Sequence, residues 1–185
     1  MLHMLHLLSV IRAACITGEH DWGLQIYNEL KARIDSSPIK RSAYLVYLLR
    51  VNHARLQLNH HVASGKAGPA PLTEADFDWL KSKAPVPFRK AAPLRLRARV
   101  AAMSGDRQRA IELLEATRQA HAEIGAVDDA ERDRYALGLI TEAEQLMAAA
   151  ANALRNMGVS SPEREIDAYY PELTKAFKST NSQGS

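Results

Sequence analysis

Leu94-x3-Ala98-x2-Ala101-x3-Gly105-Asp106-x3-Ala110-x3-Leu114 is the stretch that decides how this chain folds. An apolar helical run stops at a glycine-acidic turn, and a second helix starts with a small residue five positions after the glycine. Small side chains let the second helix lie close against the first, so the spacing predicts a tight antiparallel hairpin. The same grammar occurs earlier, as Leu7-x2-Val10-x3-Ala14-x3-Gly18-Glu19-x3-Gly23-x3-Tyr27. Two such hairpins in one chain imply stacked helical repeats, an architecture used mostly to bind other proteins.

Composition agrees with a helical reading. Hydrophobic residues make up 46% of the 185 positions and aromatics only 6%, which favours helix over sheet. The length suits one domain with a real core, here residues 1–172 with an internal loop at about 64–72 and a polar tail over 173–185. That loop holds Gly65, Gly68, Pro69 and Pro71, which rule out a continuing helix. The single cysteine, Cys15, lies in an apolar run and reads as a buried thiol. No apolar run approaches the roughly 20 residues a membrane span needs. The N-terminal Met1–Leu8 lacks a cationic start, and Arg12 interrupts its apolar stretch, so a cytoplasmic product is expected.

Charge is uneven beneath a net +3. Residues 1–105 hold fifteen basic and seven acidic side chains, and residues 106–185 hold nine and fourteen. Helix signals punctuate the chain throughout. Helices are expected over about 2–16, 20–35, 38–63, 73–82 and 90–103. A further one runs from the Asp106 cap to about Ile124, with Gly125 as its stop. Asp128 is expected to cap the next, and Thr141-x2-Glu144 to open another after a break near Gly138. That helix should end at Gly158-Val159, and a last short helix should run from Ser161-Pro162 to Tyr169.

The spacing of Ala98, Ala101, Gly105, Asp106, Ala110 and Leu114 resembles the tetratricopeptide repeat. Residues 7–30 resemble it less closely, with Gly23 in place of the usual alanine and Ile11 where a small residue is expected. Over Leu94–Glu172 the chain also resembles the C-terminal helical region of large bacterial, myxobacterial-type serine/threonine kinases and signalling ATPases. Three segments carry this likeness: Arg97-Ala98-Arg99-Val100-Ala101-Ala102…Gly105-Asp106, Arg134-Tyr135-Ala136-Leu137-Gly138, and Leu146-Met147-Ala148-Ala149-Ala150…Met157-Gly158-Val159…Pro162. Gly138 lacks the glycine-rich break of that family, and Tyr169-Tyr170-Pro171-Glu172 departs from its usual ending.

The resemblance implies an all-α fold of antiparallel helical hairpins stacked as a short tetratricopeptide-like solenoid. Its implied function is that of a noncatalytic protein–protein interaction module in bacterial signalling, docking a protein partner or an upstream effector domain. In such a fold the first helix of each hairpin lines a groove. Transferred here, that geometry puts Arg12, Arg95, Arg99 and Met103 in a partner-binding groove, with the arginines gripping carboxylates bidentately. The apolar N-terminal helix would be left to dock on a second copy, giving a homo-oligomer, or on an upstream repeat.

The rival reading is a basic nucleic-acid-binding helical protein. Lys81, Lys83, Arg89 and Lys90 form a basic patch near Trp79 and Phe88, and phosphate contact is the chemistry such a patch offers. A solvated face explains the same residues more simply, so nucleic acid stays the weaker alternative. No catalytic motif is present: the chain has no G-x4-G-K-[ST], H-E-x2-H or G-x-S-x-G. His3/His6 and His60/His61 lack the Cys or Glu neighbours that would complete a metal set. No enzyme activity, metal or cofactor is expected.

Overall fold

The computed structural model describes residues 2–38, 42–65, 69–84 and 90–182, with side chains described from 8 to 176. Among them the chain is helical and contains no strand. The helices are α1 (Leu2–Thr17), α2 (His20–Asp35), α3 (Ala43–Ala63), α4 (Glu74–Lys83), α5 (Ala91–Met103), α6 (Arg107–Glu123), α7 (Val127–Thr141), α8 (Glu144–Asn156), α9 (Pro162–Tyr169) and α10 (Pro171–Ser182). They divide into two compact units, Met1–Arg89 and Lys90–Ser185.

In the N-terminal unit α1, α2 and α3 pack pairwise on one another, and α4 packs on α3. Leu8, Ile11, Cys15, Tyr27, Leu30, Ile34, Leu45, Leu49 and Leu56 form its core. The approach of α2 is as close as its glycine suggested. A Cβ on Gly23 would lie 2.9 Å from the Ala14 Cβ and 3.0 Å from a Leu56 methyl. Any larger side chain there would force Ala14 or Leu56 to shift. Helix α3 buries Leu45, Tyr47 and Leu49, while Tyr44 stays 48% exposed. Ser42 caps α3, its hydroxyl accepting from the Leu45 amide. The expected first turn after Pro38 includes residues 39–41, which lie outside the described residues.

In the C-terminal unit α5, α6, α7 and α8 pack in sequence, each on the next. Gly105 adopts φ +80° at the turn after α5, a left-handed conformation that costs glycine little. Asp106 then caps α6 by accepting from the Arg109 amide at 3.1 Å. Ala98, Ala101 and Ala110 are all buried in one apolar cluster with Leu114 and Leu137, where the small-residue spacing put them.

Asp128, expected to cap α7, stands in its first turn instead, because α7 starts at Val127 with Ala126 before it and no side-chain cap. Two further expectations are corrected here. The chain does not break near Gly138: α7 runs through it to Thr141, and Glu142 makes the turn with φ +59°. Gly138 serves the next helix instead, since a Cβ there would sit 2.5 Å from Met147 Cγ and 3.0 Å from its backbone nitrogen. Thr141 accordingly does not cap α8; its hydroxyl donates back to the Leu137 carbonyl at 2.6 Å. The second correction concerns the end of the chain. Residues Pro171–Ser182 form α10, which packs on α5, α7 and α9, with Leu173 and Thr174 buried. The polar composition of 173–185 hid Leu173, an apolar residue at a position the core could use.

Candidate functional site

Arg95 and Arg99 are four residues apart on α5, so both leave the helix on the same side. Helices α7 and α10 lie on that side, and each supplies acids. Arg99 Nε and Nη2 donate to the two Glu172 carboxylate oxygens at 2.9 and 2.8 Å. The pair is bidentate and almost wholly buried, with the two side chains 1% and 6% exposed. Such a pair has directional strength as well as charge.

Arg95 reaches α7. Its Nε donates to Asp133 Oδ1 at 2.9 Å, its Nη1 to Asp129 Oδ1 at 2.8 Å, and its Nη2 to the Asp129 carbonyl at 3.1 Å. Asp133 is a hub. Its Oδ1 also accepts from the Tyr170 hydroxyl, and His121 Nδ1 lies 2.7 Å from its Oδ2. Arg132 donates to Asp128 at 2.7 Å and to Glu165 on α9 at 3.0 Å. It also stands 5.1 Å from the Tyr169 ring centre, a cation–π distance. The network therefore ties α5, α6, α7 and α9 together with Tyr170, the residue that links α9 to α10.

Electrostatics follow from that geometry. Burial alone would push the Asp129 carboxyl up, but the Arg95 guanidinium outweighs it and holds the group well below the carboxylate range. Burial likewise disfavours charge on Arg95, yet Asp133, Tyr170 and Asp129 keep it firmly protonated. The Tyr170 hydroxyl is pushed well above its ordinary value, first by burial and then by Asp133, against the pull of Arg95. Tyr170 thus stays a donor. Because Asp133 is fully buried and holds partners on both oxygens, the cluster acts as a clamp between helices.

The sequence-derived groove residues are scattered by this arrangement. Arg95 and Arg99 share a face, as their spacing implied, but their carboxylate partners are internal ones. Met103 is half-buried at the end of α5. Arg12 is exposed on α1, in the other unit. Of the basic patch, Lys81 and Lys83 are exposed at the end of α4, and Lys90 is exposed with its Nζ 3.9 Å from Glu123. Arg89 lies outside the described residues. The Trp79 ring has the Arg50 guanidinium 5.0 Å from its centre, so that face is already covered. Trp22 is 45% exposed.

Glu172, Asp133, His121 and Tyr170 were not singled out from sequence. A signal for Glu172 did exist: Pro171-Glu172-Leu173 has the proline, first-turn acid and apolar residue of a helix start. Beside α10 the C-terminal unit leaves an open recess of about 210 Å³, lined chiefly by Ala102, Leu139, Ile140, Leu173 and Ala176. At its edge Arg107 pairs with Glu142 at 3.2 Å. Among the described residues no group of three or more His, Cys, Asp or Glu side chains is arranged to hold a metal ion, and no helix is long and apolar enough to cross a membrane.

The chain matches no protein-family model, no curated protein and no solved structure.

Proposed function

We propose that this chain is a noncatalytic protein-interaction module whose C-terminal unit takes up a helical segment of a partner protein across the face of α5 and α7. The observation that carries this reading is the seat of α10. A short amphipathic helix lies on that face with its first-turn glutamate held bidentately by Arg99 and its leucine in the core. That is the chemistry by which a groove would grip an acidic helix in trans.

The same reading treats the packed hairpins as a short tetratricopeptide-like solenoid, with α5 and α7 as its groove-lining helices. The matching spacings over Leu94–Leu114 and the close approach at Gly23 support it. A cytoplasmic role in bacterial signalling, beside a kinase or ATPase, rests on sequence resemblance alone. A photo-crosslinking residue at Ile140, which borders the recess, should form protein adducts in the native cell. The same residue at Arg118, exposed on α6, should not. Nucleic-acid adducts, or equal labelling at both positions, would reject the reading.

A further inference from the structure

Three places in the molecule stand out beside the Arg99–Glu172 seat: the Tyr27–His53–Arg50–Asp76 group on α2, α3 and α4, the Asp133 clamp, and the recess beside α10. The first encloses too little space for a ligand, and in the second Asp133 is fully buried with partners on both oxygens. The recess has both space and a defined edge.

Glu172 and Leu173 fix the first turn of α10, one in a buried ion pair and the other in the apolar core. Three residues after Leu173, on the same side of the helix, stands Ala176. Its methyl borders the recess without filling it. A volume of about 210 Å³ is far more than the roughly 10–15 Å³ that a single water needs. The opposite wall is apolar, made by Ala102 of α5 and by Leu139 and Ile140 of α7. Helix α10 therefore satisfies the charge and the first apolar position of this face but leaves the second apolar position empty.

From this we infer that α10 is an imperfect internal occupant of the partner site. The partner is a protein helix that reads Glu-Leu-x-x followed by a large apolar residue, and it binds by displacing α10. This inference rests on the proposed interaction function and specifies the partner chemistry and the regulation of that site. Glutamate takes the Arg99 fork, leucine takes the place of Leu173, and the large residue fills the recess that Ala176 leaves open. The face is thus closed in the free protein and opens only to a helix with a better fit.

The test uses two fluorescent peptides in anisotropy titrations, residues 171–182 as they stand and the same peptide carrying Ala176→Leu. Each is titrated with the full-length chain and with a full-length release variant, Glu172→Gln/Leu173→Ala, whose fold is checked by circular dichroism. The release variant should bind the leucine peptide at least tenfold more tightly than the native peptide, a difference of about 1.4 kcal/mol. The wild-type chain should bind both peptides at least tenfold more weakly than the release variant does.

Equal affinity for the two peptides would overturn the recess assignment, and equal binding by both chains would overturn closure by α10. No binding of either peptide to a folded release variant would instead reject the interaction reading itself. A second measurement holds even if the release variant fails to fold. Ala176→Leu in the full-length chain should raise the thermal midpoint of the C-terminal unit, and an unchanged or lowered midpoint would overturn the fit.

Discussion

The two units of this protein use similar helices but are held together differently. In the N-terminal unit, α1, α2 and α3 enclose a core of leucine, isoleucine and tyrosine with Cys15 among them. Its polar features include a stack of the Tyr27 and His53 rings, 3.8 Å apart and 10° from parallel, and the buried Arg55 and Asn59. The C-terminal unit adds to its apolar cluster a buried set of ion pairs around Asp133 and a second pair between Arg99 and Glu172. An apolar core tolerates small shifts. A buried charge network does not, because removing one member leaves the others desolvated without compensation. The unit with the stricter internal chemistry is also the one that carries the candidate partner site.

Asp133→Ala should break that difference most severely. It removes the shared partner of His121 and Tyr170 and leaves Arg95 with Asp129 as its remaining acid, and loss of one partner from a buried ion pair costs about 3–5 kcal/mol. Both tryptophans, Trp22 and Trp79, belong to the N-terminal unit. Urea titration should therefore show the helical circular dichroism signal losing part of its amplitude at lower denaturant while tryptophan fluorescence keeps its midpoint. A shared shift of both signals would show that the units do not respond separately.

A smaller effect is expected at the tight crossing in each unit. Gly138→Ala drives a methyl group against Met147, including its backbone nitrogen. Overpacking typically costs ~1–3 kcal/mol, and the better helix propensity of alanine returns about 1 kcal/mol. Gly23→Ala meets Ala14 Cβ and the movable methyls of Leu56, so it should be the milder substitution. Thermal denaturation of the two variants checks the order. A Gly23→Ala variant destabilised more than Gly138→Ala would mean that the α7–α8 contact is the more yielding of the two.

The effect of pH separates the two units as well. Burial, reinforced by Arg50 and partly opposed by Asp76, lowers the His53 imidazole from 6.5 to about 4. Between these values the unfolded chain binds more protons, so the N-terminal unit should be fully stable above pH 6.5 and weaken as the pH falls towards 4. Asp129 has the opposite origin. Its depressed value gives the C-terminal unit stability that is present above the ordinary carboxylate value of 3.8 and is lost only in stronger acid. Mild acid should therefore weaken the N-terminal unit first, and His53→Gln should flatten that slope. An unchanged slope in His53→Gln would place the titrating group elsewhere.

Much of the fold was legible because its signals are local. Gly105-Asp106, Gly125 and Gly158-Val159 each end or start a helix through bonds made within a few residues. The errors arose where the deciding contact came from elsewhere in the chain. Gly138 resembles a helix break until α8 is seen to need its missing side chain. The segment 173–182 resembles a solvated tail until Leu173 finds the core.

Arg95 and Arg99 show the same division. Their spacing on one helix side was plain from sequence, and so was their capacity to grip carboxylates. Which carboxylates they grip was not, because Asp133 and Glu172 lie 38 and 73 positions along the chain. By itself the sequence determined an all-helical chain, its turn points and the small residues that let helices approach. Only the tertiary structure decided that α10 folds back onto α5 and α7, since that placement depends on charge and volume matching between segments far apart in sequence.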